Sequence, residues 1–288
     1  MYRSFDLSSL DLRAIQFGLK MHLPKPLVNL VHLGITKYLP TLKLQQHLVQ
    51  KVKLSRPSIV GNSSSDNYYE NANFLLLLEH YPVYTTGIRN RNNYQREAEE
   101  TNFTALGADF VQTDRGGLIT FHGPGQLVAY PILDLQNFVP TDDTSNKKAN
   151  LLGMRWYVHT LEQSVIDLLK DYNLFSHRSP HTGVWLGSEE QGDERKICAM
   201  GVHNSQLVTS HGLALNCNTD LTWFDHIVPC GIEGKGVTSL TKELSSLRCK
   251  KTTVDEIAPH FVEAFRKNFK CEVQEYDNSE FLNLMKQF

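Results

Sequence analysis

The chain has 288 residues, 41% hydrophobic and 21% charged, and its 29 Lys and Arg against 31 Asp and Glu give a formal net charge of -2. That balance excludes a wholly disordered chain and argues against a general nucleic-acid binder, which carries a strong basic excess. No apolar run reaches the roughly 18 residues of a membrane span, so none is expected. The cysteines, Cys198, Cys217, Cys230, Cys249 and Cys271, are odd in number and form no C-x-x-C pair. A disulfide scaffold and a zinc ribbon are therefore disfavoured, and free thiols fit a reducing compartment such as cytosol or mitochondrial matrix. No compact ligand spacing such as H-E-x-x-H occurs, so neither a metal nor a cofactor is expected.

In chain order, residues 1–29 form an N-terminal extension. Arg3, Arg13 and Lys20 among periodic apolar residues suit a mitochondrial presequence, while Asp6 and Asp11 suit an ordinary first helix. From 30 to 288 the pattern reads as one continuous catalytic domain with polar surface loops at 61–73, 140–150 and 187–195. A helix is expected over 41–54 and a buried strand over 74–78. Strands over 118–121 and 127–135, joined by the turn His122-Gly-Pro-Gly125, read as a hairpin. A helix over 152–171 puts Trp156 or Tyr157, Leu161, Val165 and Leu168 on one face. Strands follow near 182–186, 196–203 and 213–217. Thr253 and Glu256 then form a capping box before a helix carrying Ile257, Phe261, Phe265 and Phe269, which Pro259 should kink or start late. Strands and helices mix without strict alternation, which implies an α+β fold.

Three segments carry chemistry. In the run from Arg115 through Gly116, Gly117, Leu118, Ile119, Thr120 and Phe121 to His122, the glycines let a ligand approach backbone amides that can stabilise an oxyanion. Arg115 adds a cation and His122 a ring at the strand end. Alone, such a cluster is also an ordinary turn. It is neither a phosphate loop nor a dinucleotide fingerprint. In the strand from Lys196, period two puts Lys196, Cys198, Met200 and Val202 on one face, where desolvation favours a neutral, basic amine. A solvated strand-end lysine is the plain alternative. Cys230 lies between Pro229, which pins the chain, and Gly231, which leaves room at the sulfur for a thioester. A buried structural thiol is the alternative. Cys249, between Arg248 and Lys250, is an electrostatic rival that composition does not eliminate. His211 and Gly212 open a strand that lines a pocket or fills the core.

Together these segments resemble the octanoyltransferase family, also called lipoate–protein ligase B. The resemblance runs from about Tyr38 to Leu240. It rests on Glu79-His-Tyr-Pro-Val-Tyr-Thr-Thr-Gly87, Arg115 to Gln126, Val128-Ala-Tyr-Pro-Ile132, Lys196 to Val202, His211 to Asn216, Pro229-Cys-Gly-Ile232 and Val237-Thr-Ser-Leu240, in this order and spacing. It implies a biotin/lipoate ligase-like catalytic domain, a mixed sheet flanked by helices. It implies Cys230 and Lys196 as catalytic pair, and an acyl pocket lined by Arg115 through His122, by Ala199, Met200 and Gly201, and by Gly212, Leu213 and Ala214. Cys198 stands where the family usually has a small residue, which places a second thiol near the lysine. The implied donor is octanoyl-acyl carrier protein. The implied acceptors are lipoyl domains of 2-oxoacid dehydrogenases and the glycine cleavage H protein, in the mitochondrial matrix. In the expected mechanism Cys230 takes the acyl group, Lys196 handles protons, and the amides of Gly116 and Gly117 with His122 stabilise the oxyanion. An ATP-dependent lipoate ligase, a cysteine hydrolase and a non-catalytic acyl-binding protein are the rivals.

Overall fold

The computed structural model describes residues 25–56, 73–90, 96–138, 153–231, 234–245 and 252–288. The presequence reading, most of the first two polar loops and Cys249 lie outside these residues. In chain order the elements are Leu27–Thr36 (β1), Tyr38–Leu54 (α1), Phe74–His80 (β2), Val83–Thr86 (β3), Arg96–Ala105 (α2), Asp109–Gln112 (β4), Thr120–His122 (β5), Gln126–Ile132 (β6), Met154–Asp171 (α3), Ser176–His177 (β7), Val184–Leu186 (β8), Arg195–Ser205 (β9), Val208–Asn216 (β10), Gly236–Val237 (β11), Leu240–Leu244 (α4), Val254–Phe269 (α5), Glu272–Glu275 (β12) and Ser279–Met285 (α6).

The main sheet runs β12-β1-β2-β6-β10-β9-β8-β7, with β11 added to β9. Its β12, β1 and β2 are parallel, and from β2 through β6, β10, β9 and β8 to β7 each neighbour is antiparallel. This is the mixed sheet of an α+β fold. Alternation splits its side chains between two cores. Leu127, Ala129, Leu213 and Leu215 join Leu161 and Val165 of α3 and Phe261 and Phe265 of α5. Val128, Tyr130, Ile132 and Ala214 face Leu44, Leu48 and Val52 of α1 and Phe281 of α6.

A smaller sheet, β4-β3-β5, stands apart. It corrects the expected hairpin: β5 pairs with β3, whereas β6 pairs with β2 and β10, so the turn 123–125 carries the chain from one sheet to the other. The small sheet packs Tyr84 and Phe121 against Phe103 of α2, which ends in a Schellman motif. There the N–H groups of Gly107 (φ 86) and Ala108 reach the carbonyls of Thr104 and Phe103.

Helix α1 begins at Tyr38, ahead of the expected 41, because Pro40 falls in the first turn, where a missing N–H costs nothing. Helix α5 starts at Val254 behind a complete capping box, so Pro259 does not delay it. Thr253→Ala removes the acceptor for the Glu256 N–H. It should cost about 1 kcal/mol, read as a lower midpoint in urea unfolding.

Two irregularities position the site. First, Val184 pairs with Cys198 but the next residue, Trp185, pairs with Lys196, so Ile197 is an extra residue in β9. A one-residue register shift exchanges the faces. Lys196 therefore shares the face of Trp185, Ala199 and Gly201, and not that of Cys198, Met200 and Val202 as a regular period two requires. Second, Pro131 in β6 has no N–H to give β10. Opposite it His211 turns to φ 56, and its own N–H leaves the ladder for Gln45 Oε1 at 2.7 Å. The ladder resumes where Thr209 N–H donates to Leu133 O at 3.0 Å.

Candidate active site

On the face to which the bulge turns Lys196 lies a cleft of ≈ 310 Å³. Its floor is the β9–β10 ribbon, where Ala199 pairs with Ala214 and Gly201 with Gly212. The smallness of these residues leaves the space. The Lys196 side chain is buried, with Nζ 4.6 Å from the centroid of the Trp185 ring. Among the described residues it has no hydrogen bond or ion pair.

The glycine-rich segment forms one wall. Gly116 N–H donates to Val202 O at 3.0 Å. That amide is therefore engaged and does not serve as the oxyanion donor expected of it. Gly117, at φ 96, turns the loop away from β9. Arg115 is buried and bonds the backbone: its guanidinium donates to the carbonyls of Thr85 (2.7 Å), Gly116 (2.9 Å) and Leu118 (2.9 Å). It is the clamp that shapes the loop. Arg115→Lys keeps the charge and loses the fork. It should cost about 2 kcal/mol of stability, measured by chemical denaturation.

His122 is buried at the end of β5. Its Nδ1 lies 2.8 Å from Gln126 Oε1, and Gln126 Nε2 donates to Phe121 O at 3.3 Å and Asn216 Oδ1 at 2.9 Å. Because the amide nitrogen must face the Phe121 carbonyl, its oxygen faces the imidazole, and His122 donates from Nδ1. Burial, with His80 nearby, lowers its pKa to about 3. The ring is neutral and Nε2 is an acceptor, which rules His122 out as an oxyanion donor. His80 is lowered to about 4, also by burial, and its Nε2 accepts from Tyr130 at 2.9 Å. Asp114 accepts from His211 Nε2 at 2.8 Å and is held at about 2 by that bond.

The segment expected to bear the nucleophile is a 3-10 turn, Pro229–Gly231. The backbone at Cys230 is described but its side chain is not. A Cβ on Gly231 would lie 2.4 Å from Leu118 Cδ1, so this turn sits against the glycine-rich wall. Behind it β11 runs parallel to β9, with Val237 opposite Lys196, and Thr238 N–H donates to Lys196 O at 3.0 Å. Thr238 also receives Asn216 Nδ2 on its carbonyl at 2.9 Å and donates its hydroxyl to Glu243, which Arg195 holds at 2.6 and 2.7 Å. The segment Gly236–Thr238, which follows the Cys230 turn in the chain, and the strand with Lys196 are thus fastened together.

The other described cysteines do not compete. Cys198, Cys217 and Cys271 are buried; burial pushes all three thiols up, the last two to about 12. Such thiols form little thiolate at neutral pH. Cys198 packs in the core beneath α3, on the face opposite Lys196.

Three comparisons place this arrangement. The family profile "Lipoyl protein ligase A/B catalytic domain" matches residues 37–266. A mitochondrial octanoyl-[acyl-carrier-protein]:protein N-octanoyltransferase of Danio rerio is 47% identical over 251 residues, 87% of this chain and 96% of that one. The Homo sapiens protein of that description is 43% identical, over 86% and 95% of the two chains. The Flavobacterium johnsoniae octanoyltransferase is 41% identical, over 85% and 98%. The chain belongs to the octanoyltransferase family. Among solved structures, lipoate-protein ligase A bound with ATP superposes with a TM-score of 0.60 at 14% identity, over 90% of this chain and 92% of that one, which shows the shared fold.

In this octanoyltransferase-family chain, the cleft brings together Lys196, Arg115, Gly116, Gly117, Leu118, Thr120, His122, Ala199, Met200, Gly201, Gly212, Leu213 and Ala214. It does not include Ile119 or Phe121. Strand alternation turns Phe121 into the small-sheet core, stacked on Trp223 at 5.0 Å, and Ile119 borders a separate groove beside α2. The residue-by-residue reading missed Tyr38, Arg89, Tyr130 and His181, which also line the cleft. Asp114, the partner of His211, was missed as well.

Proposed function

We propose that the protein moves an octanoyl group from octanoyl-acyl carrier protein to a lysine of a lipoyl domain, through an acyl thioester on Cys230 with Lys196 as acid and base. The observation that carries this reading is the β9 bulge, which takes Lys196 from the core beneath α3 into the cleft, while β11, a few residues after Cys230 in the chain, pairs with the same stretch of β9. In the first step the Cys230 sulfur bonds to the thioester carbonyl carbon, the bond to the carrier's sulfur breaks, and Lys196 returns the Cys230 proton to the departing thiolate. In the second, the lysine amine bonds to that carbon, the Cys230 thiolate leaves, and Lys196 takes the proton from the nitrogen. The Ala and Gly floor leaves room for an unbranched chain.

The names of the eukaryotic relatives support a mitochondrial setting, and we place the reaction in the matrix. The acceptors are lipoyl domains of 2-oxoacid dehydrogenases and the glycine cleavage H protein. Residues 1–29 serve as presequence and 30–288 as one catalytic domain. The test is intact-protein mass and peptide mapping after incubation with octanoyl-acyl carrier protein. An octanoyl adduct on Cys230 that disappears when a lipoyl domain is added is expected. Full transfer by Cys230→Ala would sink the thioester route, and transfer only from free octanoate with ATP would favour a ligase.

A further inference from the structure

His122 is in the cleft, but neither step above uses it. One end of its ring is fixed: Nδ1–H donates to Gln126, whose amide is locked by Phe121 O and Asn216, and Asn216 is locked in turn by the Thr238 carbonyl. Thr238 holds Lys196 O. The relay of buried groups therefore begins at the imidazole and ends on the backbone of the proposed acid and base. Gln126 and Asn216 are a directly paired couple of β6 and β10, at the end of the sheet where β9 carries Lys196. The other end of the ring, Nε2, has no protein partner among the described residues, and the residue lines the cleft.

A fixed lone pair in a binding cleft selects a hydrogen-bond donor. The octanoyl chain and its thioester have none. The donor that the second step brings is the N–H of the incoming amine. We propose that His122 is a catalytic residue whose Nε2 accepts a hydrogen bond from the target lysine's amine and aims the nitrogen lone pair at the acyl carbonyl, with Gln126 and Asn216 as the positioning residues that fix its tautomer. This rests on the acyl-transfer reading above. His122 does not receive the proton released on attack; that goes to Lys196. The low proton affinity of the buried ring fits an orienting acceptor and not a base. The groups facing His122 keep it so: Tyr38 of α1 stacks at 6.2 Å, His80 of β2 lies at 5.9 Å, and Arg115 and His211 of β10 also oppose protonation.

The test uses nitrogen-15-labelled histidine in the full chain. His122 should stay neutral, with its proton on Nδ1, between about pH 5 and pH 8. Gln126→Glu puts a carboxylate on Nδ1–H and should bring the titration of His122 into that window. Aminolysis of the preformed acyl-enzyme by a lipoyl domain should then fall at least about tenfold below the same midpoint. His122→Gln keeps an acceptor and should retain about tenfold more aminolysis than His122→Leu. A wild-type proton on Nε2, equal aminolysis by those two variants, or an unchanged profile in Gln126→Glu despite titration of His122 would overturn the proposal. Absence of any acyl-enzyme in the wild type would instead strike the acyl-transfer reading, and the tautomer would still be read from the unreacted protein.

Discussion

Lys196→Ala is expected to lower octanoyl transfer by roughly 10³-fold, the usual worth of a positioned acid and base. Its stability should change by no more than about 1 kcal/mol, since the ammonium contributes a cation–π contact with Trp185 and no ion pair among the described residues. The separation of the two effects is the point. A lysine that served only packing would lose stability and rate in proportion. Steady-state transfer and thermal unfolding of the same preparation check it. Retention of more than about a tenth of the rate would remove Lys196 from the proposed acid and base role.

The second large effect is structural. Gly212 is in the middle of β10, where an added Cβ would lie 2.1 Å from Ala129 O and 2.8 Å from Pro131 Cδ. Both obstacles belong to the backbone or ring of β6, a strand paired on both sides and buried along its length. Nothing there can swing aside. Gly212→Ala should cost about 3 kcal/mol, at the upper end for overpacking, and activity should fall with the folded fraction. Equilibrium unfolding gives the number. A loss below about 1 kcal/mol would mean that β10 shifts freely along β6.

Much of this site is legible in the chain because its ingredients are local. The Thr253 capping box is a spacing of three residues. The α3 and α5 faces are periodic over several turns. The motifs around Arg115, Lys196, His211 and Cys230 each remain contiguous in the fold. What sequence hides is pairing. Nothing in Lys196-Ile-Cys announces that Ile197 is extra; only the register of β8 reveals it. The turn at Gly123 looks like that of a hairpin because the sheet each strand joins is set by partners far along the chain. β1 is a run of apolar residues whose burial is broken by a register shift near Gly34, and it passes unnoticed. The β9–β10 turn is equally silent: Gln206 and Leu207 adopt φ of 55 and 66 with no glycine to signal it, and Arg56 holds the Gln206 carbonyl at 2.7 Å. Of the missed cleft residues, Tyr130 stood inside a quoted motif and Tyr38 opened the matched stretch, so a signal existed. Asp114 had one only as the neighbour of Arg115.

The extra residue in β9 makes the location of the lysine a matter of arithmetic. Side chains on a strand are odd or even, and Ile197 changes the parity of everything before it relative to everything after. A regular ladder that kept Ile197 would leave composition, charge and hydrophobic content untouched, yet would send Lys196 toward α3 and bring Arg195 to the cleft, whereas a strand without Ile197 would keep Lys196 opposite Trp185. The turn from Gly187 to Glu194 lies upstream of the count, so lengthening it leaves that parity alone. Length variation among relatives should therefore collect in that turn, and between Lys196 and Gly201 the tolerated change is loss of the one extra residue, a pattern readable from gap positions alone.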